Sequence, residues 1–485
     1  MKSGQTVHSA AFFIYTGATL MGVAAIFWLA RRQALPEWPL PLGTAGALGT
    51  CVMALELLAF WVSTPPSRFC DFLSAYYLAG RAALHHDHDA LRALTSLGVA
   101  GYVNIPVVAY LFVPFGIFGR NVAIALFTLT GLGFAVGSWF LLLRMLRLDL
   151  KARWLLALLF LASGPLINAI RLGNTSQMIL LALIVGLMLV RAGRSGAAGA
   201  VLGVAAVIKL PLILMGLFFI FRRDWRGVAG FSAVGVMTSL LSLALFGWSD
   251  NLHWFQACVV EFARSWLPSF NVQSIAGFLT RLDAHARLSE WVPQMPTPGQ
   301  KLVAHVFTGL VFLVAALACL RHPAIRGALN ETDANSRRDL QYLLVLCLCL
   351  VSSPLTWSHY YVWLLIPMAF FLEGRLPPFN APTARRVGWV AIALVTPLVG
   401  WPWSFDNSLL MTVYRTMIMS HLFLGGLVWF GLIGYGLART GGLLSWAGEM
   451  RSGHSRAGDE AYAEAYYNNT DDLQEVNRFP QEYHP

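Results

Sequence analysis

The chain has 485 residues, of which 57% are hydrophobic and 12% charged, with a formal net charge of +10. Soluble domains carry about 25% charged residues, so the composition excludes a water-soluble protein and predicts an all-α polytopic membrane protein. The surplus of arginine then reads as loop topology and contact with membrane lipids, and no nucleic-acid binding is expected.

Apolar runs approaching the ~20 residues needed to cross the hydrocarbon core recur along the chain. They cover 11–30, 43–62, 103–118, 121–143, 153–170, 176–191, 196–221, 227–247, 302–320, 340–354, 359–373, 386–403 and 416–437. The run from Ala11 to Ala30 has no cationic flank before it and no small-residue cleavage site after it, so it reads as a retained helix. Two long connections, 63–102 and 248–301, mix aromatics, prolines and charges and predict structured loops lying on the membrane. Beyond Arg439 the chain turns polar and then acidic (Asp459, Glu460, Glu464, Asp471, Asp472, Glu475), which predicts a disordered tail. The expected division is an extra N-terminal helix and linker (1–42), a transmembrane domain (43–438) and a cytoplasmic tail (439–485).

Arginines orient the spans. If each span crosses once, Arg31-Arg32, Arg222-Arg223-Arg226, the stretch Arg321 to Arg338, Arg385-Arg386 and Arg439 share the cytoplasmic side. Both long loops then face outward. Arg144, Arg147, Lys151 and Arg153 conflict with this arrangement. Re-entrant segments at 103–118 and 196–221 would remove the conflict, but full crossing is the expectation adopted. Cys51, Cys319, Cys347 and Cys349 lie in apolar runs as small hydrophobes. Cys70 and Cys258 fall in polar connections, which leaves a disulfide between them open.

Ionisable groups at membrane depth are costly and mark function. Asp71, within Arg68-Phe-Cys-Asp-Phe-Leu-Ser-Ala-Tyr-Tyr-Leu-Ala-Gly-Arg81, puts a carboxylate at the mouth of the bundle beside aromatics. Lys209 is one of four lysines and interrupts an apolar run two residues before Pro211. An ammonium there suits a phosphate, although a lysine reaching for the interface is the plainer reading. His359 follows Trp357 and precedes Tyr360 and Tyr361. An aromatic belt explains the rings but not the histidine, which can donate to a phosphate oxygen. Arg171 to Gln177 reads as a capped turn between spans. Asn271, Gln273, Ser274 and Arg281 in the second long loop suit sugar hydroxyls or a phosphate, and equally suit loop hydrogen bonding. The contiguous His85-His86-Asp87-His88-Asp89 reads as a solvated turn in preference to a metal site.

Asp71-Phe72 with Tyr76-Tyr77 and Gly80-Arg81 resembles the first outer loop of glycosyltransferase family 87. These are polyprenyl-phosphate-mannose-dependent mannosyltransferases of the GT-C superfamily. Asn104-Ile-Pro106, Gly173-Asn174, Lys209-Leu-Pro211, Asn271-Val-Gln273-Ser274 and Ser353-Pro354 with Trp357-Ser-His359 follow the family's order of motifs over about 43–375. Asn174 stands where the family has glutamine, and one residue separates Lys209 from its proline. The resemblance implies a GT-C-type bundle of about 12–13 transmembrane helices with two outer loops, residues 11–30 adding a helix to the family's twelve. It implies inverting transfer of a mannose-like hexose from a polyprenyl-phosphate sugar to a lipid or glycan hydroxyl, on the outer face of the plasma membrane. Asp71 would be the general base, with His359 opposite the leaving phosphate. Lys209, Arg281, Asn271, Gln273, Tyr76, Tyr77, Arg81 and Trp357 would bind donor phosphate or sugar. No metal cofactor is expected, since phosphate is already a good leaving group, and a monomer is expected. A lipid or sugar flippase, or a ligase using a lipid-diphosphate donor, is the competing class.

Overall fold

The computed structural model describes residues 68–283, 286, 288–320, 331–374, 382–397 and 408–440. The spans expected at 11–30 and 43–62, Cys51, Arg31-Arg32, Arg321 and the acidic tail lie outside the described residues. Among the described residues all regular structure is helical. Extended pairing is limited to isolated bridges, Trp266 with Gln294 and Val272 with Trp357.

A π-helical turn, Phe72–Tyr77, leads into α1 (Leu78–Leu84). His86, at φ 54°, turns the chain into α2 (His88–Ser96), whose first turn is capped where Asp87 Oδ1 accepts from the Ala90 amide at 2.9 Å. The histidine-rich run is therefore a helix junction. Next come a 3-10 turn, Pro106–Phe112, and α3 (Arg120–Met145). α4 (Leu150–Leu161) and α5 (Gly164–Leu172) form one apolar pair bent by 41°, where Ser163 caps α5 and Pro165 occupies its first turn. α6 (Ser176–Arg191) and α7 (Ser195–Ile208) follow, then α8 (Trp225–Trp254), α9 (Ile275–Thr280), α10 (Pro298–Leu320) and α11 (Glu331–Ser352). The last helices are α12 (Leu365–Glu373), α13 (Pro382–Val395) and α14 (His421–Thr440). Among the described residues, α3, Trp225–Arg264, α10 and His421–Ala438 are each long and apolar enough to cross a membrane, and the bent pair makes a fifth.

The hydrogen bonds at the helix ends assign direction. Arg191, closing α6, donates to the carbonyl of Met145, closing α3, at 3.1 Å, and pairs with Asp339 near the start of α11. The Arg147 amide donates to Glu373 at the end of α12, and Arg222 donates to Gln341 at 2.8 Å. These groups define one end of the bundle, which holds Arg144, Arg147, Arg191, Arg222, Arg337 and Arg338. The opposite end holds the two long loops and the start of α6.

This corrects the expectation of full crossing at 103–118 and 196–221. Residues 106–116 remain at the loop end, packed on α1: a Cβ placed on Gly80 would lie 2.4 Å from the Phe112 carbonyl oxygen, and Tyr77 Oη donates to the Phe118 carbonyl at 3.0 Å. Residues 195–221 rise from the arginine end to Lys209 and return to it at Arg222. A 14-residue helix spans roughly 21 Å, short of ~30 Å of hydrocarbon. Lys209 is extended (φ −132°, ψ 94°), and Leu210–Met215 resumes as a 3-10 turn carrying Pro211. Apolar length alone suggested a crossing; a break at a charged residue makes a hairpin. The cluster from Arg144 to Arg153 thereby joins the other arginines, and the conflict disappears.

Small residues hold the hairpin against α8. A Cβ on Gly199 would lie 2.1 Å from the Gly227 carbonyl oxygen, and one on Gly230 the same distance from that of Gly196. Such seams let helices associate in lipid by close packing. At the loop end, α8 bends at Gly247 (φ 69°), where Asn251 Nδ2 satisfies the freed carbonyl at 2.7 Å. Asp250 then binds His88 at 2.9 Å and Arg92, fastening α8 to α2. Cys70 and Cys258 are both free thiols, so the disulfide left open by the sequence does not form.

Replacing Gly199 with leucine should force α7 from α8 and lower stability by about 1–3 kcal/mol, the usual cost of overpacking. A detergent melting curve checks this, and a midpoint equal to that of the parent would contradict the seam.

Candidate active site

A cavity of about 1480 Å³ lies between the outer loops and the hairpin. One end of it is polar. Asp71, preceding the π-helical turn, is partly buried and faces this end. Its Oδ2 accepts from Asn174 Nδ2 at 2.6 Å, whereas among the described residues Oδ1 meets only the Cys70 thiol, at 3.6 Å. Burial raises the Asp71 pKa above its ordinary value, while the Asn174 amide and the Lys209 charge oppose that shift.

Lys209, 5% exposed at the hairpin tip, donates to Tyr76 Oη at 3.3 Å and sits 4.9 Å from the centre of the Tyr360 ring. Tyr76 stacks on Phe112 at 4.5 Å, so the 3-10 turn that fails to cross instead braces the lysine's partner. His359 lies in a 3-10 turn, Ser358–Leu364, after α11. It is 3% exposed, and neither ring nitrogen has a hydrogen-bond partner among the described residues. Trp357 stacks beside it at 6.4 Å, and Asn168 Nδ2 donates to Ser358 Oγ at 3.0 Å. Asp71, Tyr76, Lys209, Asn271, Trp357 and His359 all line the cavity.

Four other expected residues do not line it. Arg281 is fully buried, and its guanidinium donates to the carbonyls of Ser269 (3.1 Å) and Val272 (2.8 Å) and to Ser420 Oγ (2.7 Å). Burial brings its pKa down to about 9, still charged at neutral pH. Gln273 is consumed by the carbonyls of Phe270 and Met419 and by the Phe423 amide. Tyr77 serves the Phe118 carbonyl, and Arg81 is exposed at the end of α1. The second long loop thus supplies Asn271 to the cavity and uses Gln273 and Arg281 to hold its own shape.

The sequence did not single out Asn168, and it named Asn104 and Asn174 as members of the Asn104-Ile-Pro106 and Gly173-Asn174 motifs without giving either a role at the site. All three line the cavity, and their signal was weak because asparagine is common in turns. From the polar end the cavity continues between the hairpin and α8 as an apolar groove. Ile213, Val236 and Leu240 line it and are more than half exposed (56%, 57% and 55%), so the groove opens sideways toward lipid. Among the described residues no group of three or more His, Cys, Asp or Glu could hold a metal ion.

These features define a polytopic membrane protein with a polar chamber open to the bilayer. The sequence model of glycosyltransferase family 87 matches residues 102–354, more than half of the chain, and the protein belongs to that family. The match begins after the loop that carries Asp71. A polyprenol-phosphate-mannose-dependent alpha-(1-2)-phosphatidylinositol pentamannoside mannosyltransferase of Mycolicibacterium smegmatis is 28% identical over 314 residues, 63% of this chain and 67% of that one. A polyprenol-phosphate-mannose-dependent alpha-(1-2)-phosphatidylinositol mannoside mannosyltransferase of the same organism is 30% identical over 210 residues, 41% of this chain and 43% of that one. The chain therefore spans about two thirds of the first relative and less than half of the second. No solved structure matches it.

Arg281→Lys loses the planar fork that serves three acceptors, which lysine cannot reproduce. It should lower the melting midpoint and the amount of folded protein while leaving the KM for a lipid-phosphate sugar unchanged in the fraction that folds. A selective rise in that KM would return Arg281 to the substrate site.

Proposed function

We propose that this protein transfers a mannose-like hexose from a polyprenyl-phosphate sugar to a hydroxyl of a lipid-linked glycan, with inversion, at the outer face of the plasma membrane. The observation that carries this is one chamber holding a carboxylate, a lysine and a histidine whose ring nitrogens have no hydrogen-bond partner among the described residues, continuous with a groove open to lipid. The donor's prenyl chain would lie in that groove beside Ile213, Val236 and Leu240, its phosphate reaching Lys209. The relatives support the donor, and their phosphatidylinositol mannoside acceptors support a glycolipid acceptor. The arginine end is assigned to the cytoplasm by the positive-inside bias, which leaves the chamber outside.

In the reaction, Asp71 Oδ1 takes the proton of the acceptor hydroxyl while that oxygen bonds to the anomeric carbon. The bond from that carbon to the phosphate oxygen breaks, and its electron pair leaves on the polyprenyl phosphate. The growing charge on the phosphate is met by the Lys209 ammonium and by an N–H of His359. A single displacement inverts the anomeric centre. No step requires a metal, because the leaving group is a phosphate monoester whose charge these side chains neutralise.

With purified protein and a radiolabelled polyprenyl-phosphate mannose, Asp71→Asn should retain donor binding and lose transfer by roughly 100-fold or more, in keeping with loss of a general base. Lys209→Met should cut transfer by a comparable factor, since one charged donor to the departing oxygen contributes about 100–1000-fold. Undiminished transfer by the Asp71 variant would remove the base from the mechanism.

A further inference from the structure

Asp71 has two carboxylate oxygens in unlike settings. Oδ2 is held by Asn174, and Oδ1 faces the chamber with only a weak thiol contact among the described residues. A side-chain amide can present either its nitrogen or its oxygen, so something must keep the nitrogen toward the carboxylate. Ser176 does this. Its Oγ lies 2.9 Å from Asn174 Oδ1 and donates to it, and both residues are buried (0% and 3% exposed). With Oδ1 engaged by a hydroxyl donor, Nδ2 points at Asp71.

The backbone places this pair as deliberately as the side chains do. Gly173 takes a left-handed conformation (φ 67°, ψ 47°) between α5 and α6, and a Cβ there would lie 2.5 Å from Cβ of Phe72. The Phe69 amide donates to the Arg171 carbonyl at 2.7 Å. The turn 171–176 and the segment 69–72 are thus locked together, and the distance from Asn174 to Asp71 is set by two backbones in contact.

We propose that Ser176 and Asn174 form a relay that orients Asp71 and keeps it in the anionic form, leaving Oδ1 alone to receive the acceptor's proton. Asn174 and Ser176 act through Asp71 and are positioning residues. This rests on the reading of Asp71 as the base. The ionisable groups around the carboxylate are Cys70 and Tyr76 on its own segment, Arg171 at the end of α5, Lys209 at the hairpin tip, and His359 and Tyr360 on the 3-10 turn after α11. Lys209 also favours the anion, but Asn174 alone among the described residues makes a hydrogen bond of ordinary strength to it. Burial works against the charged form. Removing the amide therefore shifts the balance toward a protonated acid, which cannot serve as base.

The test is the pH profile of transfer with saturating polyprenyl-phosphate mannose, for the parent and for Asn174→Leu, Ser176→Ala, Asn174→Gln and Asp71→Asn. The acidic limb of Asn174→Leu should move up by about one pH unit or more, a tenfold loss on that limb that alkaline pH restores, with donor KM unchanged. Ser176→Ala removes only a hydroxyl; it should move the limb the same way by a smaller amount and guards against a leucine variant that does not fold. Asn174→Gln retains an amide donor and should lie nearer the parent. A loss equal at every pH in both the leucine and alanine variants, or no change in either, overturns the relay while Asp71→Asn remains inert. Turnover by Asp71→Asn would instead overturn the base on which the relay rests.

Discussion

A lysine ammonium inside a helical bundle must be accompanied, and the arrangement around Lys209 organises much of this protein. The helix that carries it stops there, because extended backbone at Lys209 lets the ammonium reach Tyr76 and the face of Tyr360. Tyr76 is in turn held by stacking on Phe112, which belongs to a turn that returns to the loop end without crossing. Two segments that look like spans are thus given up as spans so that one charge can be housed near a carboxylate. A solitary charge at the bilayer centre is among the costliest features a membrane protein can keep. Here the cost is offset by an opposing charge, a hydroxyl and an aromatic face.

Much of this could be read before the structure. Asp71, Lys209 and His359 stand out because a chain so poor in charge leaves few explanations for each one, and all three line one chamber. Asn271 and Trp357 were legible for a different reason, their place beside polar interruptions of apolar runs. Arg281 and Gln273 were read from chemical type alone. A guanidinium that serves carbonyls within its own loop has the same sequence as one that serves a phosphate, and only packing tells them apart. Asn174 went the other way: its turn was noticed, but its contact with Asp71 spans 103 residues and has no local signature.

The topology has a similar explanation. Counting apolar residues treats 196–221 as one crossing, and the conflict raised by Arg144 to Arg153 was the trace of that error. The positive-inside bias held the correct information, and the break at Lys209 held it too. A charge at depth two residues before a proline, set against an orientation conflict, together imply a hairpin. Either feature alone is explained more simply.

The hairpin has a mechanical consequence. A helix anchored at both faces of the bilayer answers a change in hydrocarbon thickness by tilting. The segment from Ser195 to Phe221 is tethered at one face only, and its height is set sideways, by the contacts of Gly199 with Gly227 and of Gly196 with Gly230. The height of the ammonium is therefore set by α8, which Asp250 fastens to α2 at the loop end, and not by an anchor of its own at the far face.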